Sequence, residues 1–170
     1  MDELKQVLDA LRQPEYRHVL LNPIPLYGLV FGLIALIAGL VTRSRGAQMT
    51  ALLLLVVVGA VAWPVFDTGE DAEHGMALKL DAAGRAWLHE HGERADIGVW
   101  VFIGTGALAL AALITHWKWP KPARWLTLLT LVAALASLGV AGWIGHAGGQ
   151  IRHTEFRTGP PPVDAEKPKS

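Results

Sequence analysis

The sequence predicts an all-α fold, an integral membrane four-helix up-down bundle with short outer-face loop helices. Three observations carry this expectation. Hydrophobic residues make up 52% of the 170 positions and gather in four runs. Residues 18–42, 46–66, 97–117 and 125–151 contain no Asp, Glu, Lys or Arg. Each stretch reaches the roughly 20 residues a helix needs to cross hydrocarbon and is far longer than a strand would require.

The first 17 residues are mixed in charge and mildly amphipathic. They lack the basic start, short apolar core and small-residue cleavage site of a secretory signal, so the first apolar run is expected to be retained as a membrane helix. The four-span domain is expected over residues 18–156, with spans near 24–42, 47–66, 97–116 and 125–146 and a loop over 67–96. Within that loop, 70–78 and 82–93 read as helical, with a break at 80–84. Residues 157–170, with Pro160, Pro161 and Pro162 followed by mixed charges, read as a disordered tail.

Lysine and arginine positions predict orientation. The first short loop carries Arg43 and Arg45, the last carries Lys118, Lys121 and Arg124, and neither has an acid. The 67–96 loop has eight acids and three bases. The short loops are therefore expected in the cytoplasm, with both termini and the long loop periplasmic, in a bacterial inner membrane. Gly28 and Gly32 on the first span, and Ala134, Ser137, Gly142 and Gly145 on the fourth, are small residues that allow close helix approach, within the chain or in a homodimer. Trp63, Trp117, Trp119, Trp125 and Trp143 fall near span ends, where tryptophan prefers the interface.

Several chemistries are excluded. With no cysteine there are no disulfides, thiolate metal sites or covalently attached c-type haem. Acids and bases balance at 15 each, so no basic field points to nucleic acid. No phosphate-cradling glycine loop, Ser/His/Asp set or His-Glu-x-x-His motif is present, which points away from a hydrolase and toward an electron carrier or redox subunit.

Six of the seven histidines fall on the expected outer side, His116 being the exception. His18, His91 and His146 lie at or just inside apolar runs, where an unpartnered polar group is costly. They are the leading ligand candidates. His74, His89 and His153 are more peripheral.

Four elements resemble a group of small uncharacterised four-helix bacterial membrane proteins, relatives of a broad domain family with an N-terminal His-Pro and a later His-Glu element. They are HVLLNPIP at 18–25, PVFDTGEDAE at 64–73, HEHGERA at 89–95 and GHAGGQIRHTE at 145–155. The resemblance implies the fold and a shared outer-face site, and supplies no reaction. Relatives often carry a second histidine in the first element where this chain has Pro23, which leaves His18 as the candidate there.

Two cofactor chemistries fit these residues. The first is a b-type haem held non-covalently between helices, one or two per chain. His91 and His146 are then expected to face each other, with His18 available for a second haem together with His153 or His74. Gly145, Gly148 and Gly149 would admit the porphyrin, while Arg94 and Arg152 would pair with its propionates. Quinone and a periplasmic redox protein are the expected partners. The second is a non-haem zinc, iron or copper site drawn from His18, His74, His91, His146, His153, Glu70, Glu73 and Glu93. A non-catalytic membrane subunit is the third reading.

Overall fold

A computed structural model describes residues 2–162. Six α-helices follow in order: α1 (Asp2–Ala10), α2 (Pro14–Leu21), α3 (Pro23–Val41), α4 (Arg45–Ala77), α5 (Ala82–Lys118) and α6 (Pro120–Arg152), then a 3-10 turn at Thr154–Phe156. Four helical stretches are long and apolar enough to cross a membrane: Pro14–Val41, Arg45–Ala77, Ala82–Lys118 and Pro122–Arg152. This is the all-α four-helix membrane architecture expected from the charge-free runs.

Local chemistry sets the boundaries. Pro14 and Pro23 open α2 and α3 at positions whose N–H is dispensable. Asn22 between them keeps helical torsions, so α2 and α3 form one span. After α3, Arg43 adopts φ 54, the left-handed conformation that usually falls to glycine at a helix C-terminus. The Ser44 N–H then reaches the Gly39 carbonyl at 3.0 Å, which closes the turn, and the Ser44 hydroxyl caps α4 by accepting the Ala47 N–H at 3.3 Å.

The expected loop helices are present but are not separate pieces. α4 runs unbroken through 70–77 and α5 already begins at Ala82, so the connection shrinks to Leu78–Asp81. The break falls slightly before the expected 80–84. At 33 and 37 residues, α4 and α5 rise about 50 and 55 Å, which carries both well beyond ~30 Å of hydrocarbon.

Asp81 starts α5 by accepting the Gly84 N–H on Oδ1 at 2.7 Å. Its other oxygen accepts from Arg157 Nη1 at 2.8 Å. Arg157 also donates to the carbonyls of Gln150 (2.7 Å) and Ile151 (2.6 Å) at the C-terminus of α6, where a cation is favoured. The first residue of the stretch read as tail is thus tied to two helix ends. Residues 163–170 of that stretch lie outside the described residues.

Short connections make α3 to α6 antiparallel neighbours, and contacts between α3 and α6 close the ring. Leu29, Leu33 and Leu36 of α3 meet Leu52, Leu55 and Val58 of α4 in the core, with Phe102, Ala109, Ala112 and Ala134 from the other two helices. Gly28 and Gly32 are spent on this packing. A Cβ on either would lie 2.8 Å from Val58 or Leu55. At the α4–α5 crossing backbone meets backbone, and a Cβ on Gly59 would lie 2.7 Å from the Gly106 Cα. Inside the membrane, Thr105 and Ser137 share a buried hydrogen bond of 2.8 Å, the kind of polar contact that fixes helix pairs in lipid. Phe31, Ile34, Leu53, Trp100, Val132 and Leu135 stay exposed, as lipid-facing side chains do. All five tryptophans assigned to span ends are exposed as well.

Candidate functional site

A cavity of about 520 Å³ opens among the helices at the end of the bundle that holds the Leu78–Asp81 turn. His18 comes from α2, Val65, Gly69, Glu70 and Glu73 from α4, His91 and Phe102 from α5, and Ile144, Gly145 and Gly148 from α6. Val99, Phe102, Ala62 and Ala141 make one part of the lining wholly apolar. Its volume is in the range of pockets that enclose a drug-sized or cofactor-sized molecule, roughly 300–1,000 Å³.

Two histidines line this cavity in the same way. His18 donates its Nδ1–H to the Val65 carbonyl on α4 at 2.9 Å. His91 donates its Nδ1–H to the Ile144 carbonyl on α6 at 3.1 Å. Four residues after each acceptor stands a glycine whose missing side chain the imidazole replaces. A Cβ on Gly69 would lie 2.9 Å from the His18 ring, and one on Gly148 would lie 3.1 Å from the His91 ring. Fixing Nδ1 as the donor leaves Nε2 as the ring's lone-pair nitrogen in the neutral form.

Val65 and Ile144 contribute backbone carbonyls, which carry no side-chain signature. Gly69 was within sight, in the Thr-Gly-Glu element. The recurring i, i+4 pairs, Val65 with Gly69 and Ile144 with Gly148, are the pattern that would have found both seats.

The structure separates the remaining candidates. His146, the expected partner of His91, does not line the cavity. It is exposed, its Nε2 is 3.0 Å from Gln150 Nε2, and its ring meets Trp87 edge-on at 6.1 Å. Trp87 Nε1 and Gln150 Oε1 beside it are buried without a hydrogen-bond partner. His153 lines the cavity, yet its Nδ1 bonds Glu155 Oε1 at 3.0 Å and its ring stacks on Phe156 at 4.9 Å. The carboxyl of Glu155 is held below its ordinary range by a backbone N–H first and by His153 second. His74 is exposed and outside the cavity. His89 pairs with Glu93 at 3.4 Å, and neither lines the cavity.

The arginines divide likewise. Arg94 is bonded to Glu90 at 2.8 Å and to the Trp143 carbonyl at 2.6 Å, with its guanidinium 5.0 Å from the Trp143 ring, so it is committed away from the cavity. Arg152 lines the cavity, and it donates to Met76 Sδ at 2.9 Å, a weak acceptor. Gly145 and Gly148 line the cavity while Gly149 faces Phe156, 3.7 Å from where its Cβ would be.

At the opposite end, His116 is buried rather than interfacial. The Thr127 hydroxyl donates to the Ala123 carbonyl at 2.8 Å, so His116 Nε2–H donates to Thr127 Oγ1 at 2.9 Å. Arg45 donates to the His116 carbonyl, which ties α4, α5 and α6 together there.

Among the described residues, no three of His, Asp and Glu come together closely enough to hold a metal ion. A ligand-rich zinc, iron or copper centre of the kind drawn from Glu70, Glu73, His74, His91 and Glu93 is therefore not assembled among them. What the cavity does bring together is two carbonyl-bonded imidazoles, His18 and His91. No protein-family model, curated protein or solved structure matches the chain. The resemblance drawn from the four sequence elements therefore bears on function only through the residues themselves.

Proposed function

We propose that the chain binds one b-type haem in this cavity, where His18 and His91 would hold its iron, and transfers electrons between the quinone pool and a redox protein at the outer face. The observation that supports it is the matched pair of imidazoles, each anchored through Nδ1 to a helix carbonyl and seated over a glycine. Metal-bound histidines typically carry this arrangement, because the second bond fixes the tautomer and ring orientation.

Three further features of the cavity support this reading. Four helices enclose it, as bundle cofactor sites are enclosed. Its apolar lining of Val99, Phe102 and Ile144 matches a porphyrin face. Arg152 at its rim has a thioether, and no carboxylate, as its hydrogen-bond acceptor, which leaves it able to pair with a propionate. When bound, such a group supplies one-electron redox chemistry. The protein fixes ligand geometry, excludes water from the apolar side and sets the local charge.

Exposed residues of the first span, Pro23, Leu26 and Tyr27, and exposed Gly145 of α6 belong to the cavity wall. That side gives onto surrounding lipid and favours a lipid-soluble partner such as quinone. The positive short loops support an orientation with the cavity end outward and both termini periplasmic, in a bacterial inner membrane.

The test is the visible spectrum of detergent-purified protein from haem-replete cells, oxidised and then reduced with dithionite. A Soret band with sharp alpha and beta bands on reduction is the expected result. A colourless protein that also fails to take up added hemin would overturn the reading.

A further inference from the structure

Helix α1 and Leu11 just beyond it present an apolar stripe that stays exposed among the described residues. Leu4, Val7, Leu8 and Leu11 are 67%, 49%, 52% and 37% exposed. At 100° per residue these four positions share an arc of about 100°. Gln6 and Asp9 lie on the far side, Lys5 and Arg12 stand along one border of the stripe, and Glu3 stands along the other. Arg12 donates to Asp9 at 3.4 Å, a contact that stays within the segment. A nine-residue helix is too short to hold itself together in water, so its stability must come from something that covers the stripe.

We propose that α1 lies in the plane of the membrane surface at the cavity end, with Leu4, Val7, Leu8 and Leu11 buried at the headgroup–acyl boundary. In the chain this stripe is continuous with the lipid-facing surface of the first span. The turn at Leu11–Gln13 leads directly into α2, where exposed Tyr16, Val19 and Leu20 run on to Ile24, Tyr27, Phe31 and Ile34 of α3. The stripe of α1 is the next patch along that surface. Lys5 and Arg12 at one border can snorkel toward phosphate groups, while Asp9 on the far side points to water. The occupant is therefore the lipid surface itself, with anionic headgroups favoured at the cationic border.

The chain has no cysteine, so each single Cys substitution carries a unique label. The full-length protein, with Leu4→Cys, Lys5→Cys, Val7→Cys, Leu8→Cys, Asp9→Cys or Leu11→Cys bearing an environment-sensitive fluorophore, is reconstituted into phosphatidylethanolamine–phosphatidylglycerol vesicles. Ile34→Cys serves as the control for correct insertion. Labels at 4, 7, 8 and 11 should show blue-shifted emission and be quenched by lipids spin-labelled near the headgroup, while labels at 5 and 9 stay water-like. Water-like emission at all six positions, with the Ile34 label shielded, would overturn the proposal. So would shielding at 8 that disappears when the protein is diluted at fixed lipid, which would make a second copy the cover.

Discussion

His18 on the first span and His91 on the third repeat each other's contacts. Each gives its Nδ1–H to a carbonyl of the next helix, Val65 at 2.9 Å or Ile144 at 3.1 Å. Each ring then lies over the glycine one turn later, Gly69 or Gly148. The bundle is in this respect two hairpins built on one plan, meeting at one cavity.

Removing either ring should abolish the low-spin spectrum. His18→Ala and His91→Ala are each expected to lose the sharp reduced alpha band, whereas His146→Ala, which alters a residue outside the cavity, should keep it. Absorption spectra of the three purified variants decide this. Loss in His146→Ala together with retention in His18→Ala would restore the pairing first expected from sequence.

The glycine seats should matter nearly as much. Gly148→Leu places side-chain atoms where the His91 ring lies, 3.1 Å from the Cβ position. The ring must then leave the Ile144 carbonyl. Hemin affinity is expected to fall roughly 10- to 100-fold, the usual effect of losing an outer-shell partner. Titration of the apo-protein with hemin measures it.

The α4–α5 crossing tolerates no side chain. At Gly59 a Cβ would lie 2.7 Å from the Gly106 Cα and 2.9 Å from the Phe102 carbonyl, all backbone. Gly59→Ala should destabilise the bundle by about 1–3 kcal/mol, as overpacking does. Gly104→Ala, with open space around its Cβ position, should be near neutral. Unfolding in mixed micelles compares the two.

The Asp81 tether predicts a pH dependence. Arg157 first, and the Gly84 N–H second, hold the Asp81 carboxyl below its ordinary range. A carboxylate whose folded pKa is depressed stabilises the fold above its unfolded pKa of about 4, and loses that contribution as pH falls through the folded value. The wild-type melting midpoint should therefore drop more between pH 6 and pH 3 than that of Asp81→Asn, as followed by circular dichroism in detergent. Equal drops would remove the tether from the account.

Orientation has its own test. A reporter fused after Arg45 is expected to read cytoplasmic. A periplasmic reading would invert the topology and place the cavity inside.

The spans were legible because charge-free length is a one-dimensional property of the chain. The site was legible in depth but not in azimuth. His18, His91 and His146 all fall near the same membrane level, and level was the criterion that selected them. On α6, however, the cavity face runs through Ala141, Ile144, Gly145, Gly148 and Arg152. His146 is two residues from both Ile144 and Gly148, which puts it about 160–200° around the helix from either. Helical phase therefore excludes it from the wall that its depth allowed. The carbonyls of Val65 and Ile144 were illegible for another reason, since any residue supplies one and only tertiary packing decides which is used.

The length of α5 sets how much of the bundle lies beyond the cavity. From His91 to His116 the helix rises roughly 37 Å. Below Phe102 that distance is filled by Leu55, Ala109, Ala112 and Ala134, and the hydroxyls along it are turned inward, Thr105 to Ser137, Thr130 to Leu126 and Thr127 to Ala123. The lower half of the bundle is thus packed shut, and the cavity is a dead end rather than a passage across the bilayer.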